Sequence, residues 1–188
     1  MNTAQNTASV ALAAACALSN NGTLVLLSGA MPATPETALS GNTPLATATY
    51  SATAFGAPSF SGGNMQAAGS FTGNVNPAAN GGCTFARQYK SDGTTAIADY
   101  TVGSTWIASN VTAVGQYCTN GGNTYVCATA GTTASSGGPT GTGSGIVDGS
   151  VHWNYVGAGQ LFDLLMGNCN VQVGTAVSCT QTLEMEAA

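Results

Sequence analysis

The sequence predicts an all-β protein, in which a jelly-roll or β-sandwich scaffold begins with a short helix and carries a small inserted β-module. Short apolar or alternating segments recur along the chain, separated by turns rich in glycine, asparagine and proline. Residues 8–19 carry good helix formers. Residues 106–157 differ from their surroundings, because they hold both tryptophans and three of the six tyrosines among many glycines.

The N-terminal half is expected to form one helix followed by strands. The helix of residues 8–19 ends at the Asn-Asn-Gly run of residues 20–22. Residues 23–28 (TLVLLS) are a short apolar run between glycines and predict a buried strand. Residues 31–36 contain two prolines and predict a loop, since proline interrupts both helices and strand ladders. Residues 45–54 alternate apolar and hydroxyl side chains, the pattern of a half-buried strand.

The rest of the scaffold is expected to consist of strands and turns. Asp92-Gly93 is a strong hairpin signal, and residues 96–102 form the return strand. We expect the other strands at residues 65–75, 82–89, 160–166, 170–173 and 176–185. The scaffold then comprises residues 1–104 and 158–188, and the inserted module comprises residues 105–157.

The predicted module has its own internal order. Residues 114–128 form a hairpin around an Asn-Gly-Gly-Asn turn, and residues 150–156 form a final strand after the Asp148-Gly149 turn. Between them lies a flexible Thr/Ser/Gly tract, residues 129–145. The tract has the composition of an interdomain linker. We favour a long loop within the module, because aromatic strands lie on both sides of it.

Charge is scarce in this chain. It has two basic and seven acidic residues, a formal net charge of −5 and only 5% charged residues. Such a chain cannot neutralise a run of phosphates, which argues against nucleic-acid binding. It offers no basic patch for an anionic membrane, and no segment approaches the length of a membrane span. Its hydrophobic content of 44% argues against disorder. So few charges protect a monomer poorly against association, which favours an assembled protein.

Residues 8–18 also resemble the core of a signal peptide. Residues 1–7 contain no lysine or arginine, however, and a secretory leader needs positive charge before its apolar core. We therefore interpret the segment as an alanine-rich helix packed on a sheet.

The cysteines indicate no metal site. The chain has a single histidine, His152, and no Cys-x-x-Cys pair. Cys118 and Cys127 flank the hairpin turn and are a candidate disulfide, and Cys169 and Cys179 flank Gly174 in a similar way. Free buried thiols are the alternative, and the redox compartment decides between them.

No catalytic constellation is evident, so we expect neither an enzyme nor a cofactor. His152 stands alone among module aromatics. Asp92 and Asp148 each precede a glycine and are explained by their turns. The carboxylates are scattered and show no spacing typical of glycoside hydrolysis.

Four passages resemble a family of small virion proteins of tailed bacteriophages. They are residues 22–38 (GTLVLLSGAMPATPETA), 45–49 (LATAT), 89–95 (YKSDGTT) and 101–104 (TVGS). The resemblance implies a capsid decoration (cement) protein of jelly-roll type, commonly a homotrimer. It would be made in the cytoplasm of the host bacterium and bind the major capsid protein on the outer capsid surface.

A second resemblance covers residues 106–157. Residues 114–117 (VGQY), 121–127 (GGNTYVC) and 151–153 (VHW) resemble a short module of phage tail fibres and spikes that is similar to chitin-binding modules. Cys118 departs from the aliphatic residue common there, which raises the disulfide option. In glycan-binding relatives exposed aromatic rings stack on sugars, and the candidates here are Trp106, Tyr117, Tyr125, Trp153 and Tyr155.

The alternative for these five aromatics is a structural one. A module of about fifty residues has little core, and two tryptophans and three tyrosines could supply it. Trp153, on a strand beside an Asp-Gly turn, is expected to be buried. Trp106 and Tyr155 flank the insertion points and could seal the module to the scaffold.

Our leading functional hypothesis is therefore a phage capsid decoration protein that carries an outward module for weak contacts to host-surface glycans. The alternative is a tail-fibre or spike adhesin that binds host-surface carbohydrate through the module.

Overall fold

The structure, a computed structural model, describes residues 3–62, 64–72 and 75–186. These residues form one helix, α1 (Thr3–Ala17), and a series of strands. The strands are β1 (Thr23–Ser28), β2 (Thr43–Phe55), β3 (Ser59–Ser61), β4 (Asn64–Thr72), β5 (Gly81–Gly82), β6 (Phe85–Tyr89), β7 (Ala96–Thr105), β8 (Val111–Thr112), β9 (Tyr117–Asn120), β10 (Asn123–Thr129), β11 (Gly131–Thr132), β12 (Ile146–Asp148), β13 (Val151–Ala158), β14 (Leu164–Met166), β15 (Asn170–Val171) and β16 (Cys179–Glu186).

Seven of these strands close into a mixed β-barrel. Around the barrel they follow the order β7, β14, β16, β4, β2, β1 and β6, and β6 pairs again with β7. The β7–β14 pair is parallel, whereas the other neighbours in the ring are antiparallel. Closure leaves these strands without a free edge around the ring.

The prediction of a mainly β fold with one short N-terminal helix is confirmed. The scaffold that the strands form is a closed barrel, where the sequence predicted a jelly roll or sandwich. The difference lies in the pairing of β6 with β7, which joins the two ends of one sheet. Alternation along a strand predicts that one face is buried. The same alternation occurs whether that face lines a barrel or packs on a second sheet, so it does not distinguish the two architectures.

Most element positions agree with the sequence-based expectations. The strand predicted at residues 23–28 is β1, and the proline-containing segment 31–36 is a loop. The helix begins and ends earlier than predicted, at Thr3–Ala17. The strand expected at residues 82–89 is split by residues 83–84. The strand expected at 65–75 is β4, although residues 73 and 74 lie outside the described residues.

A cluster of buried apolar side chains connects the barrel strands with helix α1. Leu24 and Leu26 of β1 lie opposite Ala48 and Ala46 of β2, and all four are buried. Helix α1 adds Ala8, Leu12 and Cys16 to the same cluster. Their four-residue spacing places them on one face of the helix, which contacts β2, β4 and β16.

A buried ion pair fixes the loop of residues 29–42 to the barrel. Arg87 on β6 lies opposite Asp99 on β7 and binds it through two hydrogen bonds, Nε–Oδ1 at 2.7 Å and Nη2–Oδ2 at 2.8 Å. Arg87 Nη1 also donates to the carbonyl of Thr37 at 2.8 Å. The two charged side chains are only 3% and 6% exposed. The hydrogen bonds within the ion pair and from Arg87 to the loop backbone thus compensate these buried charges for the water they lose.

We expect Arg87→Met to destabilise the protein by about 3–5 kcal/mol, because it leaves the Asp99 carboxylate buried without its partner. Urea unfolding of the purified chain measures the loss. Lys90→Met is the matched control, since it removes the other basic residue of the chain from the end of the same strand. Equal losses in the two variants would contradict the role assigned to the pair.

Candidate functional site

The aromatic strands extend from barrel strand β7. Residues 96–101 of β7 pair with β6, and residues 103–105 pair in parallel with β9. From β9 the sheet continues through β10 and β13 to β12. A second apolar cluster, built from residues between 106 and 155, covers this sheet. The division into scaffold and inserted module stays a prediction.

Asp148 lies at the centre of that second cluster. Its side chain is buried, at 4% exposure, and it is the only charged residue in the segment 105–157. Asp148 Oδ2 accepts hydrogen bonds from the indole N–H of Trp106 at 2.7 Å and of Trp153 at 3.0 Å. Asp148 Oδ1 accepts one from the backbone N–H of Ala134 at 2.9 Å. One carboxylate therefore orients both tryptophans of the protein.

The turn after Asp148 explains how the carboxylate reaches this position. Gly149 has a φ of 65°, and a Cβ there would lie 2.3 Å from the carbonyl oxygen of Thr132. Both facts require glycine, since a larger residue would be strained and would collide with backbone. In the sequence, the turn alone accounts for Asp148. The missed signal is that a single charge stands in an otherwise uncharged aromatic segment.

Two of the five candidate glycan-stacking residues are enclosed. Tyr125 is 0% exposed and Trp153 is 2% exposed. Trp153 is thus buried, as its place beside the Asp-Gly turn predicted. Neither ring offers a face to a sugar in this arrangement. The glycan-stacking assignment as a whole stays a prediction, and Trp106, Tyr117 and Tyr155 are the members that keep partly exposed rings.

These three half-buried rings lie in different surroundings. Trp106 packs against Gly138, where a Cβ would lie 2.9 Å from the indole ring. Tyr155 makes an edge contact with Tyr125, with ring centroids 5.9 Å apart. Tyr117 makes a tilted contact with Phe162, at 6.2 Å between centroids.

An open apolar groove runs beside Tyr117. It has a volume of about 450 Å³ and is lined also by Met31, Val114 and Val126. Met31 and Val114 are 45% and 57% exposed. The groove lies where the loop after β1 meets the module, so Tyr117 presents its accessible surface to apolar neighbours.

The Thr/Ser/Gly tract of residues 129–145 is held by the aromatic sheet. The Tyr125 hydroxyl donates to the carbonyl of Gly141 at 3.1 Å, and the Tyr155 backbone N–H donates to Gly143 at 3.0 Å. The Asn120 amide donates to the carbonyls of Gly137 and Pro139, at 3.1 Å each. The tract is fastened to the aromatic sheet and contains the short strand β11, and its predicted flexibility stays a prediction.

Gln116 joins the module to the barrel. Its side chain is 2% exposed, and its amide nitrogen donates to the carbonyls of Cys83 and Cys169, at 3.0 Å each. Gly82 permits this approach, because a Cβ there would lie 2.6 Å from that of Ala113. Sequence reasoning did not single out Gln116, since its partners are distant in the chain.

Cys118 and Cys127 are free and buried thiols in this structure. Cys118 lies directly opposite Tyr125, so Cys127 is its diagonal neighbour on the adjacent strand. Diagonal neighbours are about 7–8 Å apart, which is longer than most disulfides span. Burial raises the pKa of Cys127 to about 11, and burial with the nearby Asp148 charge raises the pKa of Cys118 further. The disulfide stays a prediction for oxidising conditions.

The outer surface of helix α1 is the second candidate site. Residues 10–18 are all apolar, and the helix carries no charged residue. Val10 is 68% exposed and Leu18 is 49% exposed. We call the following residues, all exposed, the outer helix face: Val10, Ala11, Ala13, Ala14, Ala15, Ala17 and Leu18.

Two further properties concern the described residues only. Within them, no group of three or more histidine, cysteine or acidic side chains is placed to hold a metal ion. No helix in the described ranges has the length and apolarity needed to cross a bilayer. His152, the single histidine of the sequence, is exposed on β13.

We expect Asp148→Ala to destabilise the module by about 2–5 kcal/mol, because it leaves two indole N–H groups and one backbone N–H without an acceptor. Tryptophan fluorescence during denaturation measures the effect, since both tryptophans bind this carboxylate. Asp92→Ala is the matched control, since Asp92 also precedes a turn glycine but is exposed. The account fails if the two variants unfold at the same denaturant concentration.

In the fully reduced protein, Cys118 and Cys127 should react with an aromatic disulfide reagent at pH 8 only as fast as the chain opens. Both thiols are buried and have raised pKa values, so little thiolate is present in the folded state. Mass spectrometry after timed alkylation identifies the modified residues, and the urea-unfolded chain gives the control rate. Labelling of the folded chain at the unfolded rate would contradict the burial of these thiols.

Comparison with known proteins identifies no relative: no family model matches the chain, and no curated protein or solved structure matches it significantly.

Proposed function

We propose that this chain is a bacteriophage capsid decoration protein that stabilises the outer shell. It assembles as a homotrimer on the outer capsid surface, binds the major capsid protein and is made in the cytoplasm of the host bacterium. It acts by burying uncharged surface between subunits, without catalysis or a cofactor. The module of residues 105–157 points outward, where it makes at most weak contacts to host-surface glycans.

The outer helix face carries this proposal. The second half of α1, residues 10–17, is apolar on every side. A helical segment of this kind is normally buried, because each exposed apolar side chain leaves favourable burial unrealised. In α1 one side contacts the barrel, yet Val10 on the other side is 68% exposed, and Leu18, directly after the helix, is 49% exposed. A neighbouring subunit would cover this side in an assembly, without any charged group to desolvate.

The chemistry of the remaining surface supports the same role. The chain of 188 residues has only nine acidic and basic residues, and two of them form the buried Arg87–Asp99 pair. Asp148 is buried as well. The surface is therefore left with few charges to keep copies apart, which suits a protein that functions in contact with neighbours.

The internal use of the module aromatics favours decoration over the adhesin alternative. An adhesin of the chitin-binding type needs exposed rings, but Tyr125 and Trp153 are enclosed and the indole N–H groups bind Asp148. Glycan contacts would fall to the partly exposed Trp106, Tyr117 and Tyr155. Such contacts would be weak singly and useful only when multiplied by copy number.

Support for a virion role comes from surface chemistry and from the resemblance of residues 22–38 and 89–95 to phage virion proteins. It does not come from the fold. The resemblance implied a jelly-roll scaffold, and the described strands form a seven-stranded barrel.

The number of copies per virion tests the proposal. Quantitative mass spectrometry of purified particles gives the ratio of this chain to the major capsid protein. We expect hundreds of copies, as decoration of a shell requires. A few copies to some tens would overturn decoration and support a fibre or spike.

We expect Val10→Glu and Leu18→Glu to dissociate the assembly into folded monomers, because each places a charge in an apolar contact. Sedimentation velocity measures the mass, and circular dichroism checks the fold. Val147→Glu is the matched control, since Val147 is 66% exposed, like Val10 at 68%, but lies in the module on β12.

Three results of that experiment would contradict the assignment. The first is a wild-type chain that stays monomeric at high micromolar concentration. The second is an oligomer that survives both helix variants, and the third is an oligomer lost only in Val147→Glu, which would place the contact in the module.

A further inference from the structure

The short ladder between β5 and β15 brings together two cysteines that are far apart in the sequence. Asn170 pairs with Gly82, and Val171 pairs with Gly81. One step beyond this ladder, Cys83 and Cys169 continue the same register, and the Cys83 N–H donates to the Cys169 carbonyl at 2.7 Å.

Both thiols are free in this structure, and the Cα separation expected at this position is one that a disulfide can span. Residues opposite each other at a hydrogen-bonded position of an antiparallel ladder have Cα atoms about 5.5 Å apart, and disulfides usually span about 4.4–6.8 Å. Directly opposed side chains also lie on the same face of the ladder. Both cysteines belong to the same apolar cluster, with exposures of 0% for Cys83 and 3% for Cys169.

The cysteines that lie on strands pair with other residues in their ladders. Cys118 lies opposite Tyr125, and Cys179 lies opposite Met166. The ladders therefore do not place Cys118 opposite Cys127, or Cys169 opposite Cys179, although these pairs flank turns in the sequence.

We propose that Cys83 and Cys169 form a disulfide when the chain folds in the presence of a small-molecule disulfide oxidant such as oxidised glutathione. The oxidant's S–S bond breaks and one S–S bond forms between the two cysteines. The two cysteine thiols are oxidised, and their protons and two electrons end on two released glutathione thiols. This inference does not depend on the virion role.

The folded, reduced chain should oxidise slowly. Burial raises the pKa of Cys169 to about 12 and raises the pKa of Cys83 above its usual range, so the attacking thiolate is scarce. The bond therefore forms as the chain folds or during local opening. In a reducing cytoplasm the pair stays reduced, and oxidising surroundings allow the cross-link.

The cross-link would fasten the junction between barrel and module. Gln116 donates to the carbonyls of both cysteines, so the disulfide would hold the two acceptors of that side chain at a fixed separation. It would also close a long loop of chain, from β5 to the segment before β15. Loops of this length and a chain of this size lead us to expect the midpoint of thermal unfolding to rise by about 5–15 °C.

The test is to refold the full chain from urea with reduced or oxidised glutathione, to alkylate remaining thiols, and to map disulfides by mass spectrometry without reduction. We expect a Cys83–Cys169 peptide in the oxidised sample and a higher unfolding midpoint than in the reduced sample. Cys83→Ala and Cys169→Ala should each abolish both the peptide and the shift, whereas Cys16→Ala, a control at another buried thiol, should retain both.

The peptide map of the wild-type chain decides the matter even if a variant fails to fold. A map in which Cys118–Cys127 or Cys169–Cys179 replaces the Cys83–Cys169 peptide would overturn the proposal. The proposal would also be overturned if the chain refolds with oxidised glutathione and both Cys83 and Cys169 are afterwards found alkylated, since they would then have remained free thiols.

Discussion

Strand β7 is the constraint on which both halves of the molecule depend. Its backbone pairs with β6, β14 and β9, so one strand closes the barrel and also starts the aromatic sheet. Gly103 marks the point where these pairings meet, since it lies opposite both Tyr117 and Leu165. A Cβ at Gly103 would lie 2.7 Å from the ring of Phe162. The aromatic ring therefore packs directly on the backbone at the place where barrel and module diverge.

The second organising interaction is the buried carboxylate of Asp148, and it changes how the aromatic segment is understood. From the sequence alone, its aromatic side chains were candidates for stacking on sugar rings. Here the indole N–H groups of Trp106 and Trp153 converge on one acceptor, and the Tyr125 hydroxyl binds the glycine-rich loop at Gly141. The polar ends of these rings are used to hold the module together, so its aromatic content follows mainly from its small core.

Local patterns in the sequence predicted local structure well. They did not predict which strands and side chains pair over long distances in the chain. The apolar run between Gly22 and Gly29 predicted β1, and the Asn-Gly-Gly-Asn turn predicted the hairpin of β9 and β10. Closure of the barrel depends on β6 meeting β7 on one side and β1 on the other, which no alternation within a strand encodes. The contact of Asp148 with Trp106 and the contacts of Gln116 with Cys83 and Cys169 were missed for the same reason, because these partners lie on segments distant in the chain.

The proposed assembly through the outer helix face is suggested by the difference between the two sides of α1. One side of the helix fills the barrel cluster, whereas Val10 and Leu18 leave apolar surface in water that a neighbouring subunit can bury. A cryo-EM reconstruction of the virion tests this most directly. The account predicts density for this chain over the capsid shell, with α1 in contact with a neighbouring subunit and residues 105–157 pointing outward. Density confined to the tail, or an α1 that faces solvent in the assembled particle, would contradict it.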